Sequence, residues 1–371
     1  MALINRTDSA EVAGKLAASI EKHRPAVSDV AVTDVVIPQS TGMSNDTVVF
    51  SAAWLEGGET VHHRLVARVA PTGPSLFISH NLGLEFRVLS ALEKSGVPVP
   101  AILFHESDES VLGAPFLVME FVDGKAAPDD PPFTATGWVV DLEPSNRARI
   151  ADRGLAALAS IHNVDWRAVG LGDLDRSGPG RSVLDVVLDD LRDFYEVSSV
   201  DLSNPTIEAG LAWLDQHRPA TPGEPVLSWG DARFGNLLFT EELEVGAVLD
   251  WEMVTVGPRE LDLGWWTFLL RHHTDGIGVP LPDGLPTPQE SVKRYEEMSG
   301  HTVTDFLFYE VIAAVRLSIL SQRATKLLID AGVVPAGSPM LLANPATNLL
   351  AELAGLPSPG EKKSSPMNRG A

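Results

Sequence analysis

The stretch that decides the fold is WGDARFGN, residues 229–236, followed after a short apolar run by LDWE, residues 249–252. Asp231 and Asn236 stand in the spacing D-x-x-x-x-N, which a kinase catalytic loop uses to place a base and a metal-ligating amide on one loop. Asp250 follows after a segment long enough for a β-hairpin. Carboxylate and amide oxygens are the hard ligands that Mg²⁺ prefers. Each part alone is common, but the combination predicts phosphoryl-transfer chemistry.

The part of the chain before this stretch has the pattern of a small α+β lobe. Strands are predicted at 30–38, 47–55, 63–71 and 115–124, with extended chain at 97–107 and a helix at 80–96. In the third strand Leu65, Ala67 and Val69 share one face, and Val66 and Arg68 share the other. The order strand, turn, strand, strand, helix, strand, strand predicts a lobe built on an antiparallel sheet.

The part after residue 124 is dominated by helical periodicity. Helices are predicted at 146–162, 183–196, 205–217, 261–273, 289–300 and 304–332, with short β-like runs at 236–240 and 244–252. The predicted organisation is a helix within 1–28 packing on the first lobe, a sheet lobe at 29–122, a helical lobe at 123–355 and a disordered tail at 356–371. The fold class is therefore α+β, with an N-terminal antiparallel sheet and helix and a mainly helical C-terminal lobe.

Composition excludes several classes of protein. The 371 residues contain no cysteine, which excludes disulfides, thiolate metal sites and cysteine nucleophiles. A formal net charge of −22 argues against nucleic-acid binding, which relies on cationic contacts to phosphates. No apolar run reaches the roughly 18 residues needed to cross a bilayer. We therefore expect a cytoplasmic protein, monomeric or homodimeric, with no nucleic-acid or membrane partner.

The segment 229–236, together with DWEMVTVGPRELDL at 250–263, resembles the signature of the aminoglycoside phosphotransferase and choline kinase superfamily. It looks closest to bacterial phosphotransferase-like proteins similar to the kinase-like domain fused to some acyl-CoA dehydrogenases. The resemblance implies a protein-kinase-like two-lobe fold. It makes Asp231 the catalytic base or hydroxyl-orienting carboxylate, and Asn236 and Asp250 the Mg²⁺ ligands. The implied donor is ATP, with GTP as the alternative.

The resemblance also implies a set of nucleotide-binding residues in the first lobe. These are Gly42, Ser44 and Asn45 in a phosphate-binding turn, Arg68 as the phosphate-clamping cation with Glu85 as its partner, and Met119, Glu120 and Val122 at the adenine-binding hinge. Three features depart from the family pattern. The turn retains only one glycine, Trp229 stands where the family usually has His, and the third strand has no lysine, so Arg68 takes that position in preference to Arg64.

Four further residues are candidates for the acceptor side, each with a structural alternative. Arg233 fits either a phosphate contact or an ion pair, and Glu252 either a second metal or water contact or a pairing with a neighbour. Trp265 fits either the floor of an acceptor pocket or the core. Arg316 lies on a long apolar helix and needs a partner, which is a substrate anion, Glu310 or Asp262. Asp262 is expected to tie down the catalytic loop, and His162 to be structural.

The sequence leaves three functional hypotheses. The first is an ATP- and Mg²⁺-dependent phosphotransferase that moves the γ-phosphoryl group to a hydroxyl of a small molecule, which is aminoglycoside-like, an amino alcohol or a hydroxyacyl compound. The second is a catalytically silent kinase-like protein that binds a nucleotide or metabolite, suggested by the missing lysine and by Trp229. A metal-dependent hydrolase using Asp231, Asp250 and Glu252 is the third, and it lacks nearby histidine ligands.

Overall fold

The computed structural model describes residues 9–37, 46–77, 81–199 and 202–359. The chain divides into two compact units. The first comprises the chain up to Lys94 together with Val99–Asp123, and the second comprises Ser95–Pro98 and the chain from Gly124 onward. The tail predicted at 356–371 falls outside the described residues except for its first four. Within the described ranges, no helix combines the length and the apolar character that a bilayer crossing requires.

Within its described residues, the first unit contains a five-stranded antiparallel sheet and three helices. Its elements are α1 (Ser9–His23), β1 (Ser28–Val36), β2 (Asp46–Glu56), β3 (Glu59–Val69), α2 (Leu82–Leu92), β4 (Ile102–Glu106), α3 (Glu109–Leu112) and β5 (Phe116–Glu120). The strand order is β1-β2-β3-β5-β4, and every neighbouring pair is antiparallel. The predicted order of strands and the long helix is confirmed, and the four-residue α3 is an addition.

The two faces of this sheet are covered differently. On one face, alternating residues of β2 and β3, among them Phe50, Trp54 and Leu65, form a core with Leu16 and Ile20 of α1. The other face has a smaller apolar cluster, in which Leu82 of α2 meets Leu117 and Met119 of β5. Because side chains alternate between the faces of a strand, Arg68 projects from β3 toward the α2 side, where it pairs with Glu85. The sheet thus places this arginine close to the first turn of α2.

The described part of the second unit is a helical assembly with two short antiparallel ribbons. Its elements are α4 (Trp138–Asp141), α5 (Pro144–His162), α6 (Val183–Ser198), α7 (Pro205–Gln216), β6 (Pro225–Ser228), β7 (Leu237–Phe239), β8 (Val245–Val248), β9 (Thr255–Pro258), α8 (Glu260–His272), α9 (Pro288–Ser299), α10 (Phe306–Asp330) and α11 (Pro345–Ala354). β6 pairs with β9, and β7 pairs with β8. Capping boxes at Ser182, Thr287 and Asn344 start α6, α9 and α11 by satisfying amide groups of the first turn.

Several elements of the second unit differ from the sequence prediction, among them the four-residue α4, which was not predicted. The strand predicted at 244–252 ends at Val248, since Leu249 donates its amide to Asn236 at 2.8 Å and Asp250 takes a positive φ of 61°. β6 and β9 were not predicted, because four residues are too few to show alternation. The helix α11 was also missed, although Asn344, Pro345 and a left-handed Gly355 mark its two ends.

Candidate functional site

The loop between β6 and β7 carries Asp231 and is fixed at its start by Asp262. The Asp262 carboxylate, in the first turn of α8, accepts hydrogen bonds from the backbone amides of Trp229 (2.7 Å) and Gly230 (2.8 Å) and from Ser228 Oγ (2.9 Å). His162 Nε2 lies 3.0 Å from the same carboxylate. Asp262 therefore ties down the loop as predicted, and His162 has the predicted structural position.

Gly230 is required by the path of this loop. Its φ is +89°, a left-handed conformation that residues with a Cβ rarely adopt. A Cβ at this position would lie 2.1 Å from the carbonyl oxygen of Met253. The glycine therefore allows the loop to run directly against the turn that follows Asp250.

Asp231 is buried, and three side chains hold its carboxylate. Trp265 Nε1 donates to Oδ1 at 2.7 Å, while Arg233 Nε and Asn236 Nδ2 donate to Oδ2 at 2.9 and 2.7 Å. Burial by itself raises the pKa of Asp231, but the charges of Arg233 and Arg316 and the hydrogen bonds from Arg233 and Trp265 outweigh it, so the pKa lies below its usual range. The carboxylate is ionised at neutral pH and has one orientation.

Trp229 connects this loop to Asp250. Its indole is fully buried, and Nε1 donates to the carbonyl oxygens of Leu249 at 2.9 Å and Asp250 at 3.1 Å. An indole N–H is a donor only, so the side chain can brace the loop but cannot take or give a proton in catalysis. Trp229 thus supplies a structural brace at the position where the sequence departs from the family pattern.

Asn236 is hydrogen-bonded to the residue that precedes Asp250, since its carbonyl accepts from the amide of Leu249 at 2.8 Å. The side-chain Nδ2 of Asn236 is already engaged with Asp231, through Oδ2 and the backbone carbonyl at 3.1 Å. Because Nδ2 is engaged, the acceptor oxygen Oδ1 is the side-chain atom of Asn236 that could bind a ligand. An amide oxygen and a carboxylate form a hard-oxygen donor set that fits Mg²⁺.

Arg233 makes ion pairs inside the protein. Besides Asp231, its guanidinium binds Asp129, which lies in the proline-rich loop after the first unit ends. Burial lowers the pKa of Arg233, and the charges of Asp231 and Asp129 more than offset this effect, so the pKa is raised. Sequence reasoning missed Asp129, because nothing in the local pattern of a loop links it to a residue 104 positions away.

The remaining acceptor-side candidates are Trp265, Arg316 and Glu252. Trp265 is in the core at 3% exposure and donates a hydrogen bond to the Asp231 carboxylate, and its role as the floor of an acceptor pocket stays a prediction. Arg316 stacks on the face of Trp265, with its guanidinium carbon 4.4 Å from the ring centroid. Glu252 is half-buried in the turn after Asp250, and its functional role stays a prediction.

In the first unit, the predicted ion pair between Arg68 and Glu85 is present. Arg68 Nη1 lies 2.5 Å from Glu85 Oε1, and the two side chains are 12% and 2% exposed. Arg64 on the same strand is 58% exposed and pairs with Asp123 at 3.5 Å. The choice of Arg68 over Arg64 as the anchored cation agrees with this geometry. The predicted turn residues Gly42, Ser44 and Asn45 lie outside the described residues.

The predicted hinge is the end of β5. The amide of Glu120 donates to Ala101, and that of Phe121 donates to Arg64, both at 2.8 Å. In the part of the chain that the structure describes, the amide of Val122 donates to no backbone carbonyl. Met119 is 7% exposed in the smaller cluster of the sheet. The Glu120 amide is therefore engaged within the fold, and the role of Glu120 and Val122 in adenine binding stays a prediction.

Comparison with known proteins agrees with these observations. The profile of the phosphotransferase enzyme family matches residues 37–281. Acyl-CoA dehydrogenase family member 10 of Mus musculus is 30% identical over 277 residues, which cover 71% of this chain and 24% of that protein. Acyl-CoA dehydrogenase family member 11 of Rattus norvegicus is 29% identical over 317 residues, covering 83% of this chain and 38% of that protein. The chain spans less than two fifths of the length of these relatives.

Solved structures show the same fold. A provisionally assigned aminoglycoside phosphotransferase from Ralstonia eutropha has a TM-score of 0.65 and 26% identity, covering 92% of this chain and 98% of that chain. A mutant of aminoglycoside phosphotransferase APH(4)-Ia, in complex with ADP and hygromycin B, has a TM-score of 0.56 and 13% identity, with coverage of 92% and 98%. The fold is protein-kinase-like. Because the family profile covers more than half of the chain, this protein belongs to the phosphotransferase enzyme family.

Proposed function

We propose that the chain is an ATP- and Mg²⁺-dependent phosphotransferase that moves the γ-phosphoryl group to a hydroxyl of a small molecule. The observation that carries this proposal is the buried Asp231 carboxylate, held by Trp265, Arg233 and Asn236. This carboxylate also stands five positions before Asn236, in the D-x-x-x-x-N spacing of a kinase catalytic loop. The acceptor classes expected from the sequence are aminoglycoside-like compounds, amino alcohols and hydroxyacyl compounds.

Asp231 orients the acceptor hydroxyl in this account. Oδ1 accepts one hydrogen bond from Trp265, and a carboxylate oxygen can accept a second one from the hydroxyl. The bond between the γ-phosphorus and the bridging oxygen of ATP breaks as the bond to the acceptor oxygen forms, which gives ADP and a phosphate ester. The hydroxyl proton passes to Asp231 and then to solvent, because the low pKa of this carboxyl makes it a transient proton carrier. Phosphoryl transfer through a loose transition state requires positioning more than a strong base.

Other residues are proposed to bind the phosphates of the nucleotide and the Mg²⁺ ion. Arg68, anchored by Glu85, is the proposed clamp for the donor phosphates, and a guanidinium can bind phosphate oxygens in a bidentate manner. Asn236 and Asp250 would hold Mg²⁺, which neutralises charge on the phosphates when bound. Complexes of related phosphotransferases with ADP, with AMP-PNP and with GDP support a nucleotide donor. ATP is the proposed donor and GTP the alternative.

The rival function is that of a catalytically silent nucleotide-binding protein. It is favoured by Arg68 in the position of a lysine and by the single glycine in the phosphate-binding turn. A thermal-shift titration with ATP, with and without Mg²⁺, separates proteins that bind nucleotide from those that do not. ADP release measured with a panel of hydroxylated acceptors then separates enzyme from silent binder. Mg²⁺-dependent stabilisation without ADP release for any acceptor would favour the rival. The cytoplasmic location and the monomeric or homodimeric state remain predictions.

A further inference from the structure

Arg316 is a cation placed beside the catalytic carboxylate. It lies on α10, is half-buried, and its guanidinium carbon stands over the face of Trp265 at 4.4 Å. Its Nη2 lies 2.7 Å from the Sδ atom of Met253. An aromatic face and a thioether hold a guanidinium in position, but neither neutralises its charge.

Three carboxylates could neutralise Arg316, and all of them have other hydrogen-bond partners. Asp231, whose charge acts on Arg316 most strongly, accepts from Trp265, Arg233 and Asn236. Glu310 accepts from Arg271 Nε at 3.1 Å, and Asp262 accepts from the catalytic loop and His162. Within the described part of the chain, no salt bridge joins Arg316 to a carboxylate. The two protein partners that the sequence suggested, Glu310 and Asp262, therefore form no ion pair with it.

The guanidinium nevertheless keeps its charge. Burial lowers the pKa of Arg316 to about 10, against the opposing effect of Asp231 and Asp262, so it is protonated at neutral pH. A partly buried charge without a direct counter-ion is costly, and an anionic ligand would reduce this cost by supplying the partner. Arg233, by contrast, forms ion pairs with Asp231 and Asp129.

Trp265 links Arg316 to the reaction. Its indole N–H donates a hydrogen bond to Asp231 Oδ1 at 2.7 Å, and the face of its ring contacts the Arg316 guanidinium. One rigid side chain thus sets the separation between the carboxylate that meets the acceptor hydroxyl and the cation. We propose that Arg316 binds an anionic group of the acceptor, a carboxylate or a phosphate, and so selects hydroxylated anions over polycationic aminoglycosides. This inference rests on the proposed function, because it assumes that a hydroxyl is presented to Asp231.

The first test compares acceptors that differ in charge. The carboxylate arm contains 3-hydroxybutyrate, its neutral methyl ester and the cationic 4-amino-2-butanol. The phosphate arm contains glycerol 3-phosphate and glycerol. In one of the two arms, kcat/KM for the anion should be at least about tenfold higher than for its uncharged analogue, measured as ADP release at saturating ATP and Mg²⁺. One charge-assisted contact provides a difference of this size. The arm that responds identifies the anionic group, and preference for the cationic amine would overturn the proposal.

The second test compares variants of Arg316. Arg316→Met should raise KM at least about tenfold for the anionic acceptor while changing the neutral analogue less than about twofold, and Arg316→Lys should restore part of the loss. Arg323→Met removes the same charge from a half-buried position on the same helix and should leave KM unchanged. If Arg316→Met lowers kcat equally for neutral and anionic acceptors, the residue serves Asp231 or the transferred group, and the proposal is wrong.

A binding measurement keeps the inference separable from the proposed function. Saturation-transfer NMR at saturating ADP and Mg²⁺ should detect 3-hydroxybutyrate or glycerol 3-phosphate on the native chain and on Arg323→Met, but not on Arg316→Met. Equal signals from the native chain and Arg316→Met, or no signal from either, would overturn the inference. A protein that binds these anions through Arg316 but shows no ATP-dependent stabilisation and no ADP release would contradict the phosphotransferase function alone.

Discussion

The indole Nε1 of Trp229 lies 3.1 Å from the carbonyl oxygen of Asp250. The residue two positions before Asp231 therefore holds the backbone of a proposed Mg²⁺ ligand. The same N–H is shared with the carbonyl of Leu249, which is also the residue whose amide reaches Asn236. The catalytic loop and the segment that carries Asp250 are coupled through one side chain.

Replacing Trp229 by Phe should impair catalysis through this coupling. The change keeps an aromatic ring but leaves two buried carbonyls without their donor, which costs about 1–3 kcal/mol in unfolding free energy. Turnover should fall, and the Mg²⁺ concentration that gives half-maximal rate should rise, because Asp250 is held less firmly. Trp54→Phe removes a comparable indole donor in the first unit, where Nε1 lies 3.2 Å from Glu56, and should leave the Mg²⁺ dependence unchanged. An unaltered Mg²⁺ dependence in Trp229→Phe would refute the coupling.

Replacing Gly230 by Ala should destabilise the second unit strongly. The φ of +89° and the 2.1 Å distance that would separate the new Cβ from the carbonyl oxygen of Met253 force the loop to move, at a cost of roughly 3 kcal/mol or more. Gly96→Ala is the matched control, because Gly96 has a φ of +86° and a Cβ there would have no atom within 4 Å. That control should lose only about 1 kcal/mol. Chemical denaturation measures both values, and equal losses would show that the contact with Met253 is unimportant.

Arg68 should contribute to nucleotide affinity. Arg68→Met removes a charge-assisted contact to the donor phosphates and should weaken ATP binding by about 10- to 100-fold, with a smaller loss in Arg68→Lys. Arg64→Met on the same strand removes an exposed cation and should have little effect. Isothermal titration calorimetry with ATP and Mg²⁺ gives the three affinities. Similar losses in Arg64→Met and Arg68→Met would point to general electrostatic attraction.

Glu106 should make the first unit sensitive to acid. It is 2% exposed, and it accepts from Lys22 at 2.7 Å and from the amide of Asp108 at 3.0 Å. Burial by itself raises the pKa of Glu106, while hydrogen bonds from Lys22, the Asp108 amide and His23 lower it to about 2. Since the folded pKa is below the unfolded value of 4.5, its stabilisation is complete above that pH and is lost as the pH falls toward about 2.

The free energy of unfolding as a function of pH tests this expectation. The native chain should exceed Glu106→Gln in stability near neutral pH, and the difference should shrink below about pH 4.5. Glu56→Gln removes a carboxylate that is 41% exposed and pairs with Arg24, so it should show a much smaller difference. A difference between native chain and Glu106→Gln that stays constant down to about pH 3 would contradict the assigned cause.

Local patterns were sufficient to predict the first unit. Alternation in β3 put Leu65 on the core face and Arg68 on the opposite one, and the resemblance to the phosphotransferase family implied Glu85 of the next helix as the partner of Arg68. The spacing of Asp231 and Asn236 likewise predicted two members of the loop. These relationships depend on residues that are close in sequence or on a regular period.

The contacts around Asp231 could not be predicted in the same way. Trp265 is 34 positions away and Arg316 lies on another helix, and only tertiary packing brings them to the carboxylate. The early end of β8 also has a tertiary cause, because the amide of Leu249 leaves the ribbon for Asn236. A sequence pattern shows which residues suit a buried site, but not which of them meet.

The most direct test of the account is the Asp231→Asn variant. The amide keeps the shape of the side chain but loses the charge that orients the acceptor hydroxyl, so kcat should fall about 10²- to 10⁴-fold while ATP affinity stays within about twofold. Asp330→Asn, at an exposed carboxylate paired with Lys326, is the control and should retain full turnover. Loss of ADP release with retained ATP binding is the predicted result, and turnover equal to that of the native chain would contradict the role of Asp231.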